Sequence, residues 1–248
     1  MQDQTTIPTP ADEQGIEIPQ PDGAVSVVAD PSGRFDFTQD WTRQFRGNDR
    51  KFMQKHMLDF AAKTGRPIRY LEIGVFEGRS GCHVLDHYPD LEYTGIDLWQ
   101  TSGLSPIYYP SKDDTAIGAI EERARKNLAL FEAQGRKVRT MKGQATRCVS
   151  ELLEAGERFD WIYIDAAHFA LNVVAEAAIA WQMLEVGGLM LFDDYKDRGA
   201  RNTTLSGGEA FLQLVNAERL FQNHQLGVIK KSESQTQPLY RAQKLGSE

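Results

Sequence analysis

The feature that most constrains the fold of this chain is a regular alternation of short apolar segments with longer amphipathic ones. The apolar segments have the length and composition of strands, and the amphipathic ones have helical spacing. Strands separated by helices of this length need crossover connections, which pair them in parallel. The sequence therefore predicts an α/β fold with a seven-stranded, mostly parallel sheet and helices on both faces. The predicted strands are 68–73, 92–97, 137–141, 159–164, 188–192, 225–230 and 237–242, and the predicted helices are 50–64, 79–88, 115–134, 146–155, 170–184 and 207–221.

The amino-terminal segment differs from the rest of the chain in composition. Residues 1–33 hold six acidic residues and no Lys or Arg, so they account for most of the net charge of −7, and they also hold five of the ten prolines. Such a segment buries too little apolar surface to offset the entropy of ordering it. We predict a disordered acidic, proline-rich tail over 1–34 and one domain over 35–248; a docking arm for a partner is the alternative for the tail.

Composition also excludes several classes of protein. The part of the chain beyond the tail is nearly neutral and shows no basic stripe, which argues against a nucleic-acid partner. No apolar run is long enough to cross a bilayer and no signal peptide opens the chain, so we expect no membrane association and a cytoplasmic location. Cys82 and Cys148 are far apart and are predicted to be buried thiols. A homo-oligomer built partly on helix 50–64, Trp41 and Phe45 is possible.

A glycine turn follows the first predicted strand in the segment YLEIGVFEGRS, residues 70–80. Gly74 and Gly78 allow the backbone to bend and a ligand to approach, while the helix that starts near Ser80 offers N–H groups to an anion. Glu72, two residues before the first glycine, suits a ligand that carries an ammonium group. A tight turn without a ligand is the alternative.

Asp97 ends the second predicted strand, where an acidic residue can accept hydrogen bonds from the two hydroxyls of a ribose. The glycine spacing differs from the G-x-G-x-x-G pattern of dinucleotide sites, because Phe76 occupies the position of the middle glycine. The sequence therefore disfavours NAD and FAD and favours another nucleoside ligand.

Three more acidic residues follow predicted strands four and five. Asp165 ends the segment WIYID, and Asp193 with Asp194 ends GGLMLFDD. Parallel neighbouring strands would bring these carboxylates to the same sheet edge as Gly74, where they repel one another unless a cation lies among them. Oxygen ligands select a hard cation such as Mg²⁺. His168 lies three residues after Asp165.

These motifs resemble those of the class I S-adenosylmethionine-dependent methyltransferases, whose fold is Rossmann-like. The span 38–240 is similar to bacterial methyltransferases of the macrocin O-methyltransferase and cephalosporin-tailoring type (methyltransferase family 24), and more distantly to catechol O-methyltransferase. The resemblance implies a divalent metal site at Asp165, Asp193 and Asp194, with His168 as the general base. It implies that the residues contacting the cofactor are Glu72, Gly74, Gly78, Ser80, Asp97, Gln144 and Asp165. The sequence departs from the family between Asp165 and His168, where Ala166 and Ala167 replace the commoner glycine and acidic residue, and in segment 98–114.

The resemblance implies an O-methyltransferase that uses S-adenosylmethionine and Mg²⁺ on a hydroxyl of a small metabolite, such as a sugar or a glycosylated natural product. A metal-independent methyltransferase with His168 as base and a non-catalytic binding module with the same fold are the alternatives. Each residue also has a structural alternative: Asp193 and Asp194 as a solvated strand end or helix cap, His168 as a packing residue, and Gln144 as an exposed turn. Lys196 and Arg198 either bind an anionic substrate group or balance the acidic charge.

Overall fold

The computed structural model describes residues 33–38, 47–100, 114–196 and 203–233. Most of the predicted tail, Trp41, Phe45, most of segment 98–114, Arg198 and the predicted strand 237–242 lie outside these ranges. Where the described chain begins, Arg34 forms an ion pair with Asp86, and Phe35 stacks on Phe131. Residues 34 and 35 are therefore already in contact with the domain.

Six helices and seven strands are present in the described residues, and as far as Leu212 they follow the alternating order that the sequence predicts. The helices are α1 (Gly47–Thr64), α2 (Arg79–His87), α3 (Asp114–Glu132), α4 (Ala145–Glu154), α5 (Ala170–Met183) and α6 (Thr204–Leu212). The strands are β1 (Arg69–Ile73), β2 (Glu92–Asp97), β3 (Val138–Lys142), β4 (Phe159–Ile164), β5 (Leu184–Phe192), β6 (Ala217–Gln222) and β7 (Leu226–Lys230).

The strands form one seven-stranded sheet in the order β3-β2-β1-β4-β5-β7-β6. Strands β1 to β5 pair in parallel, whereas β7 pairs antiparallel with both β5 and β6. The order reverses between β1 and β4, so this is the switch point at which open α/β sheets bind ligands. The predicted fold, a Rossmann-like, mostly parallel sheet with helices on both faces, is confirmed.

Alternate residues of the central strands supply two separate hydrophobic cores, one on each face of the sheet. One core joins Tyr70, Trp161 and Leu191 to side chains of α1, α2 and α3. The other joins Leu71 and Ile162 to side chains of α4, α5 and α6. All six residues of β4 are buried, because helices cover this central strand on both faces. The two cysteines are free and buried, as predicted.

The carboxyl-terminal part of the fold differs from the prediction. The helix predicted over 207–221 ends at Leu212, and Ala217–Gln222 forms edge strand β6 instead. Within AERLFQ one residue, Phe221, is buried, so its local pattern is ambiguous between helix and strand. Pairing with β7 decides the conformation, because strand propensity depends on neighbours more than on the local sequence.

The amino-terminal edge of the sheet holds a buried carboxylate that is paired with two arginines. Asp160, in β4, is fully buried, and Arg66 donates to its two oxygens at 2.5 and 2.7 Å. Arg69 donates to the same carboxylate through its backbone N–H at 2.9 Å and through its guanidinium. Burial alone would raise the pKa of Asp160, but these hydrogen bonds outweigh burial and the pKa lies below its ordinary value.

In the described part of the chain, none of the helices combines the length and the apolar character that crossing a bilayer requires.

Candidate active site

The glycine turn after β1 has the sharp bend that the sequence predicts. Gly74 has φ 103°, and a Cβ atom at this position would lie 2.1 Å from the carbonyl oxygen of Asp165. Gly78 has φ 80° and is the N-cap residue of α2, without a side-chain cap. Any other residue at Gly74 would push the turn away from the end of β4. The first glycine thus brings the turn into direct contact with the backbone that carries Asp165.

Asp97 holds this turn in place from the end of β2. Its Oδ2 accepts hydrogen bonds from the backbone N–H groups of Val75 and Phe76 at 2.8 and 2.7 Å. Its Oδ1 accepts a longer bond of 3.3 Å from the N–H of Trp99, whose indole N–H donates to the Phe76 carbonyl at 2.9 Å. Asp97 therefore lies where the sequence predicts, and it also has a structural function that the sequence did not indicate.

Glu72 points beneath α2 and is fully buried. Its two oxygens accept hydrogen bonds from the hydroxyl groups of Ser80 and Tyr93. Burial raises the pKa of Glu72 to about 8, because desolvation disfavours the carboxylate more than the two hydroxyl donors stabilise it. These contacts tie the first turn of α2 to β1 and β2, so the predicted contact between Glu72 and an ammonium group stays a prediction.

Gln144 is exposed at the N-cap position of α4, with an extended backbone and no side-chain cap. It follows β3, which pairs with β2 in the register Asp97↔Lys142. This places Gln144 at the same sheet edge as Asp97, as an adenine contact would require. The contact itself stays a prediction.

The three downstream carboxylates lie at the carboxyl-terminal edge of β4 and β5, as the sequence predicts. Ile164 pairs with Phe192, so Asp165 and Asp193 are the next residues on neighbouring strands. Their carboxyl groups are in hydrogen-bonding contact, and burial together with the charges of Asp193 and Asp194 raises the pKa of Asp165 well above its ordinary value. Two carboxyl groups this close share a proton unless a cation lies between them.

His168 lies between the acidic residues at the edge of the sheet. Its Nε2 is 3.9 Å from Oδ1 of Asp165 and 3.7 Å from Oδ2 of Asp194. Its Nδ1 is 3.4 Å from the hydroxyl of Thr204, which fixes the ring from the other side. One third of the side chain is exposed, so the imidazole can exchange a proton with a molecule bound at this edge.

The structure adds two residues that sequence reasoning missed, both in the turn between β6 and β7. His224 Nε2 lies 3.1 Å from Oδ1 of Asp194, and Gln225 donates a hydrogen bond of 2.7 Å to Oδ1 of Asp193. No sequence motif connects this turn to β5, because their proximity depends on the insertion of β7 between β5 and β6. His224 and Gln225 could have been found only by predicting the β6–β7 hairpin and its position beside β5.

This group of side chains is suited to a divalent cation. Ligand atoms of Asp193, Asp194 and His224 lie within 4.8 Å of one another. Asp165 is not a member of that compact group, although it contacts Asp193. In the described part of the chain no arginine or lysine forms an ion pair with Asp165 or Asp193. Carboxylate oxygens are ligands that hard divalent cations prefer, so these residues could hold such an ion.

Comparison with known proteins agrees with this geometry. A family model described as a methyltransferase domain matches residues 71–195, about half of the chain. The match begins in β1, includes the glycine turn and Asp97, and ends directly after Asp193 and Asp194.

The individual proteins that resemble this chain share little sequence identity with it. The uncharacterized protein R132 of Acanthamoeba polyphaga mimivirus is 27% identical over 148 residues, which are 57% of this chain and 59% of the length of that relative. The solved structure of the O-methyltransferase NovP has a TM-score of 0.50 and 13% identity, and the match covers 75% of this chain and 81% of that one. The MycE methyltransferase from the mycinamycin biosynthetic pathway, in complex with Mg, SAH and mycinamycin VI, has a TM-score of 0.50 and 14% identity over 82% of this chain and 53% of that one.

At these identities, the likeness to the two solved structures supports the fold alone. The family match covers both the glycine turn and the acidic residues after β4 and β5. The chain therefore belongs to the methyltransferase-domain family.

Proposed function

We propose that this methyltransferase transfers the methyl group of S-adenosylmethionine to a hydroxyl group of a small metabolite, with a divalent cation at the acidic edge of the sheet. The observation that carries the proposal is the position of His168, whose Nε2 lies within 4 Å of both Asp165 and Asp194. A base beside a cation site is the arrangement that removal of a hydroxyl proton requires.

The cofactor would lie across the ends of β1, β2 and β4. We assign Asp97 to the ribose, because it ends β2 beside the glycine turn that its Oδ2 holds in place. The N-terminus of α2, with the backbone N–H of Ser80, would face the carboxylate of the cofactor, while the Ser80 hydroxyl donates to Glu72. Glu72 would support this turn from beneath α2, and Gln144 would lie next to the adenine ring of the cofactor. When bound, S-adenosylmethionine supplies an electrophilic methyl group.

The acidic residues and His168 would act on the acceptor. Asp165, Asp193 and Asp194 would hold the cation, which supplies positive charge that stabilises a developing alkoxide. An alcohol has a pKa far above neutrality, so His168 accepts its proton efficiently only when such a charge is nearby. Alignment of the two reactants is the other contribution of the protein, since the transfer is a direct displacement.

A sugar or a glycosylated natural product is the acceptor class that we propose. The support is the MycE structure, which contains mycinamycin VI, Mg and SAH on the same fold. A vicinal diol suits a cation site because its two oxygens can occupy neighbouring positions around one ion.

The test is a methyl-transfer screen with labelled S-adenosylmethionine across sugars, glycosylated metabolites and catechols, each with Mg²⁺, with Mn²⁺ and with EDTA. We expect turnover of a hydroxylated acceptor that EDTA abolishes and added cation restores, and we expect His168→Gln to lower the rate at least 100-fold. Turnover that EDTA leaves unchanged would contradict the cation and would favour His168 acting alone. Absence of calorimetric binding to S-adenosylhomocysteine would contradict the enzyme assignment and favour a binding module.

A further inference from the structure

The turn between β6 and β7, residues 223–225, is anchored to the segment that carries the acidic residues. The backbone N–H groups of Tyr195 and Lys196 both donate to the carbonyl of His224, at 2.8 and 3.4 Å. Asn223 donates to the carbonyl of Gln225 at 2.9 Å, which closes the turn. The two backbone hydrogen bonds to the His224 carbonyl, with the contacts of His224 to Asp194 and of Gln225 to Asp193, fix the turn relative to the acidic residues, so His224 is held beside the proposed cation site.

We propose that His224 is a nitrogen ligand of the cation and that the site therefore prefers Mn²⁺ or Co²⁺ to Mg²⁺. This inference rests on the proposed function, because it concerns the same cation. The ligand atoms of Asp193, Asp194 and His224 lie within 4.8 Å of one another. Ligands on opposite sides of an ion at ~2.1 Å are about 4.2 Å apart, so a small movement brings all three into one coordination sphere.

Gln225 provides a second, independent indication of a ligand. Its side chain is fully buried, and its Oε1 has no hydrogen-bond partner among the described residues. A carboxylate can only accept, so the amide nitrogen must face Asp193 and the amide oxygen is left without a donor. A buried acceptor without a donor indicates a water or an ion that belongs to the site. A hydrated cation held by Asp193 would bring such a water.

The two histidines flank Asp194 on different oxygens. His224 contacts Oδ1 at 3.1 Å, whereas His168 lies 3.7 Å from Oδ2. His168 is also oriented by Thr204, which is consistent with its role as the base. His224 is half-exposed and belongs to the compact group that excludes Asp165. We therefore assign proton transfer to one histidine and metal coordination to the other.

An imidazole ligand changes the metal preference. Sites made only of oxygen ligands favour Mg²⁺, which keeps its waters and binds nitrogen weakly. Imidazole favours first-row transition metals, whose affinities rise from Mn²⁺ through Fe²⁺ to Co²⁺. A site that adds one histidine to its carboxylates should therefore bind Mn²⁺ and Co²⁺ more tightly than the carboxylates alone would predict.

The experiment measures metal binding to the full chain without an acceptor. Mn²⁺ affinity is measured by electron paramagnetic resonance, Mg²⁺ affinity by competition, and nitrogen coordination by the ¹⁴N coupling of bound Mn²⁺. We expect His224→Ala and His224→Asn to weaken Mn²⁺ binding at least 10-fold, to change Mg²⁺ binding less than threefold and to remove the ¹⁴N coupling. His224→Asp should shift the preference toward Mg²⁺.

The matched control is His87→Ala, because His87 is an exposed histidine on α2 whose ring contacts the carbonyl of His83. It should leave all three measurements unchanged. An unchanged ratio of Mn²⁺ to Mg²⁺ affinity in both His224 variants, or a ¹⁴N coupling that His168→Ala removes and His224→Ala retains, would overturn this inference and leave the proposed function intact. Failure of the wild-type chain to bind any divalent cation would overturn both.

Discussion

The two ends of β4 carry the same residue type in opposite electrostatic surroundings. Asp160, the second residue of the strand, accepts hydrogen bonds from Arg66 and Arg69, and its pKa lies below the ordinary value. Asp165, directly after the strand, is surrounded by other acidic groups, and burial and their charges raise its pKa well above the ordinary value. The amino-terminal edge of the sheet thus pairs its buried carboxylate with two arginines, whereas in the described chain no arginine or lysine pairs with Asp165, as the cation that we propose at the carboxyl-terminal edge would require.

Exchanging each aspartate for asparagine tests this difference most strongly. Asp160→Asn should lower the free energy of unfolding by about 3 kcal/mol, because it leaves two partly buried arginines without their partner. Asp165→Asn should leave the free energy of unfolding unchanged or raise it, since the substitution removes the repulsion between Asp165 and the neighbouring carboxylates. Urea denaturation at pH 7 measures both. Equal destabilisation by the two variants would show that Asp165 is also a structural residue.

Glu176 in α5 is a buried carboxyl group whose pKa is shifted by burial alone, without the neighbouring charges that act on Asp165. It is fully buried, neither of its oxygens has a hydrogen-bond partner in the described chain, and burial raises its pKa to about 8. Because the pKa of Glu176 is higher in the folded state, the stability that its neutral carboxyl group contributes is complete below pH ~4.5 and is lost as the pH rises toward 8.

Glu176→Met should therefore raise the free energy of unfolding by about 2 kcal/mol at pH 7. A shift of one pKa unit corresponds to about 1.4 kcal/mol, and relaxation of the protein around the ionised group reduces the total. The gain should vanish near pH 4.5, and denaturation curves between pH 4.5 and 8.5 measure it. Glu154→Met, at an exposed position of α4, is the control and should show no such trend. A gain that does not vary with pH would contradict the assignment.

Lys230 is a buried cation in β7 whose contacts, like those of Asp160, are expected to stabilise the fold. Its Nζ donates to the carbonyls of Trp181 and Leu184 at 3.2 and 2.7 Å and pairs with Glu233. Lys230→Met should lower the free energy of unfolding by about 1.5 kcal/mol, because two carbonyl groups at the end of α5 lose their donor. Thermal denaturation measures the loss, and Lys231→Met, next to it and exposed, should have almost no effect. A loss of equal size in both variants would mean that capping of α5 is not the cause.

Glu72 gives the smallest expected effect. Its raised pKa of about 8 means that the carboxyl group is largely protonated at neutral pH, so Glu72→Gln should change the free energy of unfolding by less than about 1 kcal/mol. If Glu72 only supports α2, the affinity for S-adenosylhomocysteine should change less than threefold by calorimetry. A loss of 10-fold or more would restore the predicted contact with the ammonium group. Glu92→Gln, at the start of β2, is the control.

Much of the fold and of the site could be predicted from sequence because both follow from strand periodicity. Asp97, Asp165 and Asp193 end parallel strands, and parallel strands bring their carboxyl ends to one edge. Glu72 shows the limit of this reasoning, since four of the five residues of β1 are buried and the pattern cannot tell which face a side chain joins. His224 and Gln225 could not be predicted, because a non-local hairpin places them beside β5.

The measurement that tests the central claim most directly is Mn²⁺ binding to the wild-type chain and to Asp160→Asn, Asp165→Asn and Asp193→Asn, followed by electron paramagnetic resonance under conditions in which every variant is folded. We predict one bound ion in the wild-type chain and in Asp160→Asn with equal affinity, and a loss of at least 10-fold in Asp165→Asn and Asp193→Asn. Equal Mn²⁺ affinity in all four proteins would contradict the claim that the carboxyl-terminal edge of the sheet is a cation site.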